Sequence, residues 1–199
     1  MTPPLHPRRG LVRLAAVGAL ASTALAGASC RASDGPSPTV ARNEVVARTL
    51  MSVWEAGETS QLADLFYPDA VYDDFPNEIQ YRGIDEIEGY IRHVHDWATG
   101  ISVDVTAVHA SETGAVAEWV FSGIQDKPIG TRVPVATGRD VVLNGVTILE
   151  IDRGRITRAA DYIDQLPLVL QLGGEVRLPG GGIIRQEGAP SLADSAGPG

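Results

Sequence analysis

With 199 residues, 44 % of them hydrophobic and 21 % charged, the chain has the make-up of one globular domain with trimmings, not of a disordered or fibrous protein. Its 16 basic and 25 acidic residues give a formal net charge of −9, and no basic stripe is interleaved with aromatics, which excludes a nucleic-acid partner. The single cysteine, Cys30, excludes an internal disulfide.

At the start of the chain Arg8, Arg9 and Arg13 precede a mostly apolar run over residues 14–28. The run is too short and too rich in alanine for a membrane span, and residues 1–30 read as an export signal. Arg8-Arg9-Gly10-Leu11-Val12-Arg13 is similar to a twin-arginine signal, with ordinary Sec export as the other route. Leu25-Ala26-Gly27-Ala28-Ser29-Cys30 is similar to a lipoprotein processing site, with Gly27 where a larger aliphatic residue is usual. Two outcomes stand. Acylation of Cys30 would tether the domain to the cell envelope through lipid, and plain cleavage after Ala26 or Ala28 would leave it secreted or periplasmic.

Residues 31–39, with Ser, Gly and Pro, form a linker to a domain expected over residues 40–173. Val46, Leu50, Val53 and Trp54 recur at i, i+4, i+7 and i+8, the pattern of an amphipathic helix ending near Gly57. Ser60 is placed to cap a short helix holding Leu62, Leu65 and Phe66, which Tyr67-Pro68-Asp69 stops. A brief strand follows over residues 70–74. Gly83 leads into a third helix over residues 85–98, with Ile87, Ile91, Val94 and Ala98 on one face.

Three strands come next, over residues 101–110, 115–123 and 141–151. The last is apolar on both faces, as in the middle of a sheet covered on both sides. Arg153-Gly154 turns the chain, and the return strand sets Thr157, Ala159, Asp161 and Ile163 on one face. Asp164 can cap a helix over residues 165–172, with Pro167 tolerated in its first turn and Gly173 ending it. Residues 174–199, rich in Gly and Pro, show no core-forming period and read as a flexible tail. The order is α+β. A curved antiparallel sheet wrapped around helices would make a cone-shaped pocket with one open end.

A carboxylate at the end of a buried strand is costly unless something pairs or uses it, so Asp161 is the first candidate for function. The alternative is that it lies at a wet, frayed strand end. Trp119 and Phe121 alternate with Glu118 and Val120, so both aromatics face the interior, as a wall for a flat or apolar ligand or as plain core. Trp54 and His95 complete the expected lining. His93 and His95 point about 200° apart on a helix and cannot grip one metal ion. With no phosphate-binding glycine loop, no Ser-His-Asp constellation and no CxxC pair, neither a metal nor a cofactor is expected.

Three segments resemble the nuclear transport factor 2-like superfamily, in its branch of SnoaL-like polyketide cyclases, limonene epoxide hydrolases and ketosteroid isomerases. They are Leu65-Phe66-Tyr67-Pro68-Asp69-Ala70-Val71-Tyr72-Asp73-Asp74, then Tyr81-Arg82-Gly83-Ile84-Asp85-Glu86-Ile87, and Arg153-Gly154-Arg155-Ile156 through Asp161-Tyr162. The resemblance implies the cone. It sets Asp74 where ketosteroid isomerases keep a proton-abstracting aspartate. Asp161 falls where SnoaL-like cyclases keep an acid-base aspartate and epoxide hydrolases keep one that orients their arginine. Tyr72 resembles the hydrolases' water-positioning tyrosine.

Trp119 and Phe121 replace the hydrolase arginine and its companion aspartate, which disfavours epoxide opening. Leu50 and Val146 replace the isomerase's oxyanion donors, which places steroid isomerisation in doubt. The implied activity is binding of a small carbonyl-bearing or polycyclic molecule, with isomerisation or cyclisation if the protein is an enzyme. Asp161 would then shuttle the proton, Asp74 assist, and Tyr72 donate to the developing enolate or orient the ligand. A non-catalytic ligand-binding or interaction module at the cell envelope is the other reading. The superfamily also implies a homodimer.

Overall fold

The computed structural model describes residues 35–186. The expected export signal, Cys30, residues 31–34 of the linker and residues 187–199 lie outside the described residues.

Helix α1 (Pro38–Ala56) starts two residues inside the expected linker, because Ser37 accepts a hydrogen bond from the Val40 N–H at 3.2 Å and Pro38 stands at the first helical position. Gly57, at φ 70°, closes it. Its inner face buries Val46, Leu50, Met51 and Val53. Ser60 caps nothing. It lies inside a 3-10 turn (Thr59–Gln61) ahead of the one-turn helix α2 (Leu62–Leu65).

Phe66 already belongs to strand β1 (Phe66–Asp74). The strand tolerates Pro68 because its ladder is interrupted between Phe66 and Val71, where the missing N–H is not needed. A 3-10 turn (Phe75–Asn77) leads to β2 (Ile79–Arg82), an edge strand antiparallel to β1 that the sequence reading lacked. Helix α3 (Gly83–Trp97) follows at once. The Glu86 carboxylate accepts from the Arg82 N–H at 2.7 Å, satisfying a donor at the helix start.

Strands β3 (Ala98–Ala110), β4 (Gly114–Gln125), β5 (Arg139–Asp152) and β6 (Arg155–Ile163) form an antiparallel meander. Arg153 (φ 48°) and Gly154 (φ 84°) make the expected two-residue turn, both with positive φ. The sheet order is β2-β1-β6-β5-β4-β3. The β1–β6 ladder is parallel, so the curved sheet is mixed and not wholly antiparallel as expected. Parallel neighbours need a long crossover, and everything from β2 to β5 supplies it. Among the described residues β2 and β3 are the edges of the sheet, which does not close into a barrel.

Helices α1 and α3 cover one face, where Leu50, Ile87, Ile91 and Leu149 share the core. Among the described residues nothing covers the other face, where the two-sided apolar pattern of β5 implied a cover. Val142 and Ile148 are 45 % and 36 % exposed. Helix α4 (Leu166–Gln171) is shorter than expected, with Gln165 at its cap position and Asp164 accepting from the Leu166 N–H at 3.3 Å. Gln171 fastens it to β5, donating to the Val142 carbonyl (3.0 Å) and accepting from the Val142 N–H (2.8 Å). The side-chain amide stands in for a neighbouring strand along that stretch. Beyond it, β7 (Val176–Arg177) and β8 (Ile183–Ile184) form a small ribbon where a structureless tail was expected.

Candidate active site

Asp74 ends β1 and stands directly beside Asp161 of β6 in the parallel ladder, so both side chains leave the sheet on the same face. They are 1 % and 3 % exposed. Both line one cavity of about 430 Å³ between that face and the helices, with Trp54, Tyr90, Trp119 and Phe121 among its walls. The volume suits a small ligand, and the lining is the expected mix of apolar surface and a few convergent polar groups. Two acids 87 positions apart in the chain meet because β1 inserts beside β6.

Asp161 is held by three hydroxyls. Thr147, across the β5–β6 ladder, donates to Oδ1 at 2.6 Å, and Tyr72 donates to the same oxygen at 3.0 Å. Tyr90 donates to Oδ2 at 3.3 Å. Behind these hydroxyls stand two indoles, Trp119 donating to Thr147 Oγ1 at 2.9 Å and Trp54 donating to the Tyr72 oxygen at 3.1 Å. Burial pushes the Asp161 carboxyl up to about 7 and the nearby Asp74 charge adds to the rise, while the Thr147, Tyr72 and Tyr90 hydrogen bonds oppose it. Burial, then the charge of Asp161, holds the Tyr72 and Tyr90 phenols well above their ordinary value. An acid that changes state near neutral pH, inside an apolar hollow, can both take and return a proton.

Asp74 is held differently. It accepts from the Asn77 backbone N–H at 3.3 Å and from Asn77 Nδ2 at 2.7 Å. The Asn77 oxygen in turn accepts from Arg132 Nη1 (2.7 Å) and Gln165 Nε2 (3.2 Å). One amide therefore ties the end of β1 to the β4–β5 loop and to the segment before α4.

Of the residues expected at the site, Asp74, Asp161, Trp54, Trp119 and Phe121 line the cavity. Tyr72 does not. It is fully buried behind Asp161 with its hydroxyl engaged on both sides, so it faces the acid and not a ligand. His95 is not in the lining either, because its Nε2 meets the Trp54 carbonyl at 2.9 Å at the end of α1, against Gly57. His93 is exposed and also contributes to the cavity wall.

Sequence reasoning missed Tyr90, Thr147, Asn77 and Arg132. Tyr90 lies three residues after Ile87 on the buried face of α3, and Thr147 lies in the apolar run of β5, so each was visible as a polar group among core positions. Asn77 and Arg132 sit in connections, where no periodicity marks them.

An open, curved mixed sheet with helices over one face and a pocket between them defines the cone of the nuclear transport factor 2-like proteins. Within that class the chain belongs to the SnoaL-like domain family, whose model matches residues 47–159. Among solved structures, TsrD from Streptomyces laurentii is 26 % identical, with a TM-score of 0.59 over 67 % of this chain and 96 % of that one. A protein from Jannaschia Sp. CCS1 assigned to the SnoaL-like polyketide cyclases is 17 % identical, TM-score 0.63, over 69 % and 96 %. An LEH-like epoxide hydrolase from M. tuberculosis is 17 % identical, TM-score 0.54, over 68 % and 92 %. The last two likenesses are of fold alone. No curated protein matches the chain.

Proposed function

We propose that this protein binds a small carbonyl-bearing or polycyclic molecule in the cone and catalyses a cofactor-independent proton-transfer isomerisation or aldol-type cyclisation. The observation that carries the reading is the pairing of Asp74 with Asp161 in one ladder, both facing one cavity. Asp161 is the proton shuttle. Asp74 supports it by keeping a second negative charge nearby, and Tyr72 positions Asp161 from behind. Trp119 and Phe121 stand where an epoxide hydrolase would need its arginine and aspartate, so epoxide opening is not the chemistry proposed.

Asp161→Asn keeps the shape and removes the base, so turnover of candidate aryl ketone or β-keto substrates should fall about a hundredfold or more. Unchanged turnover would remove Asp161 from the mechanism. A non-catalytic binding role is the second reading, favoured by the engagement of the Tyr72 hydroxyl away from the cavity. It predicts ligand retention without product in both the native protein and the variant.

Residues 1–30 are proposed to direct export by the twin-arginine or Sec route, with Cys30 acylated in a lipid-anchored form or left as a thiol in a secreted or periplasmic one. Intact-mass measurement of protein from the cell envelope distinguishes them. The uncovered sheet face, with Ile124, Val142, Ile148 and Tyr162 exposed on it, is proposed to pair two copies as a homodimer. Sedimentation showing only monomer at high concentration would count against that.

A further inference from the structure

Donor chemistry fixes the direction of both hydrogen bonds that reach Asp161 Oδ1. An indole nitrogen donates one hydrogen and accepts none. Trp54 and Trp119 therefore give their hydrogens to the oxygens of Tyr72 and Thr147, and neither hydroxyl can send its own proton back to an indole. Both protons go to Asp161 Oδ1. That oxygen already accepts two donors, so a proton taken up by Asp161 has to reside on Oδ2.

Among the described residues Oδ2 has one partner, the Tyr90 hydroxyl, and Asp161 is that hydroxyl's only hydrogen-bond partner. Tyr90 also lines the cavity. Its hydroxyl thus has a choice the other two lack. Against the ionised acid it must donate to Oδ2. Against the protonated acid it can accept from Oδ2–H and aim its own hydrogen into the cavity.

We infer that Tyr90 is a further catalytic residue, a hydrogen-bond donor to the ligand that is released only when Asp161 takes up a proton on Oδ2. The inference rests on Asp161 as the base of the proposed proton transfer. In that step the C–H bond beside the ligand's carbonyl breaks and its proton bonds to Oδ2. The electron pair moves through the new C=C bond to the carbonyl oxygen, which becomes the enolate oxygen. Oδ2–H then donates to the Tyr90 oxygen, and the Tyr90 O–H turns to the enolate oxygen at the moment its charge develops. Return of the proton from Oδ2 to carbon reverses the turn. A donor that arrives with the charge supplies what the positions of Leu50 and Val146 lack.

The titratable groups facing Asp161 and Tyr90 are Tyr72 and Asp74 from β1, Tyr81 from β2 and each other. Exposed His93 and Arg132 line the same cavity. The test uses 2-acetylnaphthalene, a flat aryl ketone that accepts hydrogen bonds, donates none and does not titrate. Its binding is measured by calorimetry from pH 5 to 9 (about the span of Asp161's ionisation), with every protein carrying His93→Gln to take the imidazole out of the cavity.

In the parent protein affinity should fall about five- to tenfold, the worth of one hydrogen bond, as the pH rises through about 7. Asp161→Asn puts an amide N–H where Oδ2 was, mimicking the protonated acid, and should bind at the parent's low-pH affinity throughout. Tyr90→Phe should bind weakly throughout, with no step. A Tyr90→Phe protein that keeps both the affinity and the step would make Asp161 itself the donor and overturn the inference, as would weak binding by Asp161→Asn. If Tyr90→Phe does not fold, the carbon-13 shift of labelled Tyr90 in the parent decides: a change on adding the ketone at the low end of the pH range supports the inference, and an unmoved signal there overturns it.

No turnover is involved. The full binding pattern in a protein that never converts a carbonyl substrate supports the switch while removing the catalytic reading. Turnover lost in Asp161→Asn, with ketone binding indifferent to pH, does the reverse.

Discussion

Thr147 faces Asp161 across the β5–β6 ladder and donates to its Oδ1 at 2.6 Å, the shortest of the three hydroxyl contacts that hold this acid. It is also the strongest force holding the carboxyl down against burial. Thr147→Val keeps the shape of the side chain and removes the donor. A hydrogen bond to a charged group contributes about 1.5–3 kcal/mol, so the Asp161 midpoint should rise by roughly one to two pH units. Carbon-13 NMR titration of labelled aspartate reads this directly. An unmoved midpoint would mean that the hydroxyl does not stabilise the ionised form.

The raised Asp161 carboxyl makes the fold depend on pH in a definite direction. In the unfolded chain the group titrates near the ordinary aspartate value of about 4, and in the fold near about 7. Between those values the native state binds the extra proton, so stability is greatest below the window and declines as the pH rises through it. Above the window the penalty is complete and on the order of a few kcal/mol. Asp161→Asn carries no charge to desolvate. It should therefore be more stable than the native protein at pH 8 and close to it at pH 4 (the two sides of the window), as urea denaturation would measure. A variant that gains stability while losing turnover is the signature of a residue kept for chemistry. Equal stabilities at both pH values would deny that the buried charge is costly.

How much of this was legible depended on whether a residue announces itself through periodicity. The helical spacing from Val46 to Trp54 marks α1, and the alternation around Trp119 and Phe121 marks which way those rings face. Asp161 stood out as a charge in an apolar strand. The parallel β1–β6 ladder, which brings Asp74 to it, is a long-range pairing that no local pattern encodes. The four-residue β2 is too short and too polar to register as a strand. The displacement of His95 from the cavity wall follows from where α1 ends, a tertiary fact, since the Trp54 carbonyl captures His95. Tyr72 was found for the right neighbourhood but the wrong partner. Its absence from the cavity wall goes with Trp54 and Asp161 taking both sides of its hydroxyl.

The last prediction concerns Gly145, whose missing side chain gives Trp119 its place. A Cβ built there would lie 2.3 Å from the Trp119 ring, well inside contact distance. Neither the ring, packed in the cavity wall, nor the central strand β5 can yield without consequence. Gly145→Ala should push Trp119 toward the cavity, break its hydrogen bond to Thr147 and leave the Thr147 hydroxyl free to turn from Asp161. Overpacking of this kind costs about 1–3 kcal/mol, visible as a lower urea midpoint. The functional effect is separable from the loss of stability. Filling the cavity should weaken 2-acetylnaphthalene binding even where the variant is fully folded, whereas Thr147→Val should leave the cavity open. Gly145→Ala with native affinity and native tryptophan fluorescence would show that the ring has room to move, and the indole would lose its role as the fixed element behind the acid.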